Sequence, residues 1–128
     1  FISIGSNDLM QFLFAVDRTS AQVSRRYDDL SPAPLRALRS VFDAAAKHQV
    51  PVTVCGEMAG RPLEAMALIG LGCKSLSMAA SSIGPVKAMV RSLPAAQLKQ
   101  ELAKWLDEPD CNVRATLAAF AEQHGVEI

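Results

Sequence analysis

Three short apolar runs, each ended by small residues and each followed by a helix-patterned stretch, limit what this chain can fold into. Phe1 to Ile4 is stopped by Gly5, and Pro51 to Val54 by Cys55-Gly56. Ser75 to Met78 gives way to Ala79-Ala80-Ser81. Phe1 to Ile4 suits a buried parallel strand, Pro51 to Val54 is a short β-branched strand, and Ser75 to Met78 reads as a third, weaker one. Parallel strands need long crossovers, and the intervening segments are long enough to be helices, so the rhythm predicts successive right-handed βα units. Three parallel strands cannot close a barrel and would leave two raw edges. The pattern therefore predicts part of a larger α/β domain spanning residues 1–128.

The helical stretches carry their own start and stop signals. Ser6-Asn7-Asp8 offers turn and N-cap side chains before the apolar stretch Leu9 to Val16. Ser20 to Tyr27 is polar and reads as a short helix or loop. Ser31-Pro32-Ala33-Pro34 opens a strong helix, with serine at the N-cap and proline where its missing N–H costs little. Leu35, Leu38, Val41, Phe42 and Ala45 then recur at helical spacing. Arg61-Pro62 starts a helix through Ile69, and Gly70-Leu71-Gly72 supplies a left-handed stop. Ser82 to Leu93, Pro94 to Leu106 and Cys111 to His124 read as further C-terminal helices, the last stopped by Gly125. Leu98, Leu102, Trp105 and Leu106 form an apolar stripe suited to a core or an interface.

Charge and cysteine usage exclude several classes of function. The 13 basic and 13 acidic residues cancel and form no basic stripe, so neither nucleic acid nor an anionic membrane is an expected partner. Apolar stretches such as Met66 to Leu71 are far short of a membrane span. Cys55, Cys73 and Cys111 are an odd number without metal-ligand spacing, which fits a reducing, cytoplasmic setting. The chain opens inside a strand-like run, without an initiator methionine, as expected of a piece of something longer.

In parallel α/β proteins the carboxyl ends of strands carry the chemistry. Here those ends run into Ser6-Asn7-Asp8, into Cys55-Gly56-Glu57-Met58 and into Ala79-Ala80-Ser81-Ser82. Asp8 is suited to Mg²⁺, a hard ion that takes one or two carboxylates plus phosphate oxygens, but Asp8 and Asn7 equally suit a helix cap. Cys55 suits a proton donor or nucleophile, or a small buried apolar group. Arg18 suits a bidentate clamp on a carboxylate or phosphate, or an ion pair with Asp17 or Asp29. Glu57 suits binding or capping. His48 and His124 lie at helix ends where a positive charge suits the dipole. Gly70 and Gly72 come after a helix rather than a strand, so they form no nucleotide-binding motif.

Several blocks, taken in order, resemble the end of the phosphoenolpyruvate-binding barrel of the enzyme I family, the phosphoenolpyruvate–protein phosphotransferases. They are Phe1-Ile2-Ser3-Ile4-Gly5-Ser6-Asn7-Asp8-Leu9, Ala15-Val16-Asp17-Arg18 and Cys55-Gly56-Glu57-Met58-Ala59-Gly60, then Gly70-Leu71-Gly72 and Leu76-Ser77-Met78. The resemblance is close over residues 1 to about 93 and loose beyond. It implies the last three βα units of a (β/α)₈ TIM barrel, incomplete as given, with extra C-terminal helices. It also implies transfer of the phosphoryl group of phosphoenolpyruvate to a histidine on an N-terminal domain of the same chain, then to a histidine-containing phosphocarrier protein. Pyruvate is released, and the full-length protein is a homodimer. On this resemblance Asp8 matches a Mg²⁺ ligand, Asn7 and Arg18 match substrate-binding residues, and Cys55 matches the general acid that protonates the enolate carbon. The isolated piece is expected to be inactive.

Ser6, Met10 and Phe12 depart from the threonine, threonine and tyrosine frequent in the family. Met10 to Phe14 and Arg61 to Met66 look most like its nitrogen-regulatory branch. Two other families fit part of these blocks. Phosphoenolpyruvate synthase and pyruvate phosphate dikinase have the Asn-Asp and Cys-Gly-Glu features, while a non-catalytic dimerisation or regulatory module would keep the fold alone.

Overall fold

The computed structural model describes residues 1–17 and 27–128. β1 (Ile2–Gly5), β2 (Val52–Cys55) and β3 (Leu76–Ser77) form a parallel sheet in the order β1-β2-β3. The predicted α/β class and parallel strand direction therefore hold, with strand bounds displaced by about a residue. β3 shrinks to two residues. The register pairs Gly5 with Cys55 and Cys55 with Ser77. All three strands thus end on one row, and the segments after them leave from the same rim.

The junction after β1 differs from the sequence expectation. α1 (Ser6–Phe14) starts directly at the strand end, with Gly5 as its N-cap, so Ser6, Asn7 and Asp8 are its first turn rather than a preceding turn. No side chain caps this helix. α1 ends at Ala15, which takes the left-handed conformation at φ 52°. The expectation for Ser20 to Tyr27 lies almost wholly outside the described residues. α2 (Pro32–Lys47) begins as predicted, with proline in its first turn and Leu35, Leu38, Phe42 and Ala45 buried along one face. Ser31 stands at the N-cap position but makes no capping hydrogen bond, and its hydroxyl is buried without a partner among the described residues.

A short helix absent from the sequence reading, α3 (Glu57–Gly60), comes after β2. α4 (Pro62–Gly70) is next, and the chain turns at Gly72, whose φ of +100° is the left-handed geometry a glycine supplies without strain. Within α4, residues 64 to 68 are buried without a break. A helix apolar on nearly all sides must be surrounded. It is: α3, α5 (Ala80–Ser92), α6 (Ala95–Asp107) and α7 (Val113–His124) all pack on it. Leu98, Leu102 and Leu106 of the predicted stripe are fully buried. A β-carbon on Gly70 would lie 2.9 Å from Leu102 Cδ2, so this glycine lets α4 and α6 close together. Trp105 lies half-buried, edge-on to Phe120 at a centroid distance of 5.9 Å.

The C-terminal helices are therefore integral to the core rather than appended to it. α2 is fastened to the end of α6 by Arg36 Nε, which donates to the Leu106 carbonyl at 2.7 Å, and by an Arg39–Asp107 ion pair at 3.1 Å. α7 opens on Asn112, whose side-chain oxygen accepts from Ala115 N–H, and stops at left-handed Gly125. Large apolar side chains are left exposed on and around β1 and α1. Phe1 and Phe12 are 97% and 78% exposed, and Leu13 is also exposed. No helix among the described residues is long and apolar enough to cross a membrane.

Candidate active site

The rim formed by the strand ends is held together by one close approach. Gly56, just past β2, has φ +98° and ψ −172°, a backbone state that residues other than glycine rarely reach. A β-carbon there would lie 2.4 Å from Ser6 Oγ and 3.1 Å from Asn7 Oδ1. The first turn of α1 therefore presses directly on the turn after β2. Ser6 is wholly buried beneath it.

This contact orients Asn7. Its Oδ1 accepts a hydrogen bond from the Glu57 backbone N–H at 3.3 Å. With the oxygen so engaged, the amide nitrogen is left as a two-proton donor facing away from that bond. The helix-capping alternative for Asn7 is not what forms, because its partner lies 50 positions away on α3.

Two cavities flank Asn7. One, of about 560 Å³, is lined by Asn7, Cys55, Gly56, Glu57, Arg61 and the end of β3 around Ser77 and Ser82. The other, of about 430 Å³, is lined by Asn7, Tyr27, Asp28, Asp29, Glu57, Arg61 and Arg114. The first holds the one thiol on the rim. Its Cys55 is partly buried, and the thiol donates to the Ile4 carbonyl on the neighbouring strand at 3.4 Å. Asp8, one residue beyond Asn7, is exposed, and its Oδ2 would lie 3.7 Å from a β-carbon on Gly5. Its carboxylate thus lies near the end of β1. Asn7 and Cys55 are brought to one cavity, and Asp8 lies on the same first turn as Asn7. Arg18 lies outside the described residues, and Asp29, one of the ion-pair partners considered for it, pairs with Arg61.

Cys73 and Cys111 stand apart from this rim. Cys73 is buried and donates to the Ser75 carbonyl, and burial pushes its thiol pKa up. Cys111 sits 3.7 Å from Thr116 Oγ1 at the start of α7. His48 takes the C-cap of α2, while His124 stacks on Phe120 at 4.1 Å. Neither histidine lines the two cavities.

A ring of alternating charge backs the second cavity, and the sequence reading does not anticipate it. Arg114 of α7 holds Asp28 through Nε at 2.9 and 3.0 Å and through Nη2 at 2.7 Å. The same Nη2 reaches Glu64 of α4 at 3.0 Å. Glu64 also pairs with Arg61 at 3.3 Å, and Arg61 pairs with Asp29 at 3.5 Å. Adjacent Asp28 and Asp29 close the circuit. The one local signal is Glu64 itself, a carboxylate within an otherwise apolar helix, which requires a cation once buried. Its partner Arg114 lies 50 positions downstream and leaves no local trace.

The ring sets the ionisation of its members. Burial pushes the Asp28 carboxyl up, but hydrogen bonds from Arg114 and the Leu30 N–H, with the charges of Arg114 and Arg61, outweigh it and hold the pKa below its ordinary value. Asp29 goes the other way: burial raises it, and Arg61 offsets only part. Arg114 is driven further up, first by its Asp28 hydrogen bonds.

Comparison with known proteins shows the family. Residues 1–95 match the family described as "PEP-utilising enzyme, PEP-binding domain". A Salmonella typhimurium protein named "Phosphoenolpyruvate-dependent phosphotransferase system" is 41% identical over 127 residues, covering 98% of this chain and 17% of its own length. The Escherichia coli protein of the same name is 40% identical with the same coverage. A Borreliella burgdorferi "Phosphoenolpyruvate-protein phosphotransferase" is 37% identical over 107 residues, covering 84% of this chain and 19% of its own. The chain thus spans less than a fifth of the length of these relatives.

The rim and the ring each lead to a measurable outcome. Gly56→Ala should destabilise the chain by about 2 kcal/mol or more, since it adds backbone strain to a steric overlap. The same variant should release the Glu57 amide, read as faster hydrogen exchange at that position. An exchange rate and an unfolding midpoint equal to those of the parent chain would contradict the close approach. A depressed folded pKa stabilises fully above the ordinary carboxylate range and loses that stabilisation as pH falls through the folded value. Unfolding measured between about pH 5 and pH 2 should therefore show an acid-side loss attributable to Asp28, against the opposite slope of Asp29. Asp28→Asn should flatten that loss, and an unchanged acid limb would contradict the assignment.

Proposed function

The chain belongs to the PEP-utilising enzyme family, and we propose that it forms the C-terminal part of a phosphoenolpyruvate-binding (β/α)₈ barrel in a phosphoenolpyruvate–protein phosphotransferase. The observation that carries this reading is the cavity shared by Asn7 and Cys55 at the strand ends, with Asp8 on the same turn as Asn7. The parallel three-stranded sheet, open at β1 and at β3, supports a place for further strands, five in the closed barrel.

Within such a site, each side chain has a physical task. The Asn7 amide nitrogen, aimed by the Glu57 N–H bond to its oxygen, donates to a substrate phosphate oxygen. Arg18 neutralises the anionic groups of the substrate. Asp8 is the residue that would hold Mg²⁺. Among the described residues no three His, Cys, Asp or Glu groups come together to bind a metal. One carboxylate nevertheless suits an ion that keeps waters and takes phosphate oxygens as ligands. The ion, held by Asp8, would supply positive charge beside the phosphoryl group.

The reaction proposed breaks the bond between phosphorus and the enol oxygen and forms a bond to a histidine nitrogen. That histidine is proposed to lie on an N-terminal domain of the same chain. The electron pair left on the enol oxygen makes an enolate. Cys55 gives its proton to the terminal carbon, so that pyruvate forms and the thiolate regains a proton from water. Phosphate then passes to a histidine-containing phosphocarrier protein, in the cytoplasm, and the full-length protein acts as a homodimer. The Met10 to Phe14 and Arg61 to Met66 blocks favour the nitrogen-regulatory branch.

The test separates the first half of the reaction from the second. In the full-length protein, Cys55→Ala should still accept a phosphoryl group from phosphoenolpyruvate while pyruvate formation falls by about 10²-fold or more, the scale of a lost general acid. Rapid-quench measurement of phosphohistidine and of pyruvate reads both. Pyruvate released at the parental rate would remove Cys55 from this role.

A further inference from the structure

Arg61 stands at the N-terminal end of α4, on the wall common to the two cavities. Among the described residues lining the cavity that holds Cys55, it is the one cation. A small phosphorylated acid bound there brings phosphate and carboxylate oxygens that need positive charge, and guanidinium meets such groups in planar, bidentate fashion.

Arg61 is also the loosely held member of the charged ring. Arg114 grips Asp28 with contacts of 2.7 to 3.0 Å, whereas Arg61 reaches Glu64 at 3.3 Å and Asp29 at 3.5 Å. Its side chain is 51% exposed, against 5% for Glu64. Glu64 keeps a shorter bond to Arg114, so it remains neutralised if Arg61 turns away. The cost of such a turn falls mainly on Asp29.

We propose that Arg61 is a further substrate-binding residue, which leaves Asp29 to bind the phosphate or carboxylate of phosphoenolpyruvate in the cavity it shares with Asn7 and Cys55. This rests on the reading of that cavity as the phosphoenolpyruvate site. Asp29 is then a restraint on the empty site, competing with substrate for the same guanidinium.

The competition gives a test that a merely structural ion pair would fail. Binding of phosphoenolpyruvate in the presence of Mg²⁺ is measured by calorimetry on the full-length protein with its acceptor histidine replaced, so that no phosphoryl group is transferred, and unfolding midpoints are taken for each variant. Arg61→Gln should weaken binding about ten- to hundredfold, the scale of a charged hydrogen bond, and Arg61→Lys should recover part of the loss. Asp29→Asn should tighten binding about two- to fivefold, because the competing charge is gone. Asn7→Ala serves as the control on the site itself. Weaker binding by Asn7→Ala, with parental binding by Arg61→Gln, overturns the role of Arg61 alone. Parental binding by both overturns the site reading as well. If Arg61→Gln fails to fold, Asp29→Asn decides, and unchanged or weaker binding by that variant overturns the proposal.

Discussion

The missing side chain of Gly56 is the constraint on which the rim depends. Only without a β-carbon can the turn after β2 lie against Ser6 and Asn7. That contact sets α1 relative to the sheet and places the Asn7 amide on the Glu57 N–H. It also brings Asn7 to the cavity that Cys55 lines. The strand register does the rest, since Gly5, Cys55 and Ser77 end together and the three succeeding segments leave from one edge.

Behind the rim, stability and site geometry draw on the same residues. α4 is buried along most of its length and carries Glu64 inward, a carboxylate that Arg114 and Arg61 compensate. Breaking such a pair by removing one partner costs more than the pair itself contributes, because an uncompensated buried charge remains. α7 supplies Arg114 and so fastens the chain end to the segment at Asp28. The last three helices thereby act on the site at a distance, through packing on α4 and through this ring.

Much of this is legible in local sequence. The β-branched run at 52–54, the proline-led start of α2 and the glycine after α7 each fix one backbone state, and each element forms where its residues predict. The position of Cys55 directly after a strand is enough to put it on the rim. Asn7 and Asp8 belong at the end of β1, as expected, but in a helix rather than a turn. Ser, Asn and Asp favour caps, yet here Gly5 takes the N-cap and they form the first turn. The hidden part is non-local. The Gly56 contact joins residues about 50 apart, and the Asp28–Arg114 pair joins residues 86 apart. Neither periodicity nor spacing carries that information. The cysteines belong to the legible part: all three are free, and Cys55 alone ends a strand, while Cys73 is buried ahead of β3.

Asn7 and Cys55 are proposed to bound one small-anion site at the strand ends. Thiol alkylation of the full-length protein, monitored residue by residue by mass spectrometry with and without phosphoenolpyruvate and Mg²⁺, tests it most directly. The account predicts that ligand slows modification of Cys55 about tenfold or more, as for a group covered at near-saturation, while Cys73 and Cys111 keep their rates. Equal Cys55 rates with and without saturating ligand would contradict it.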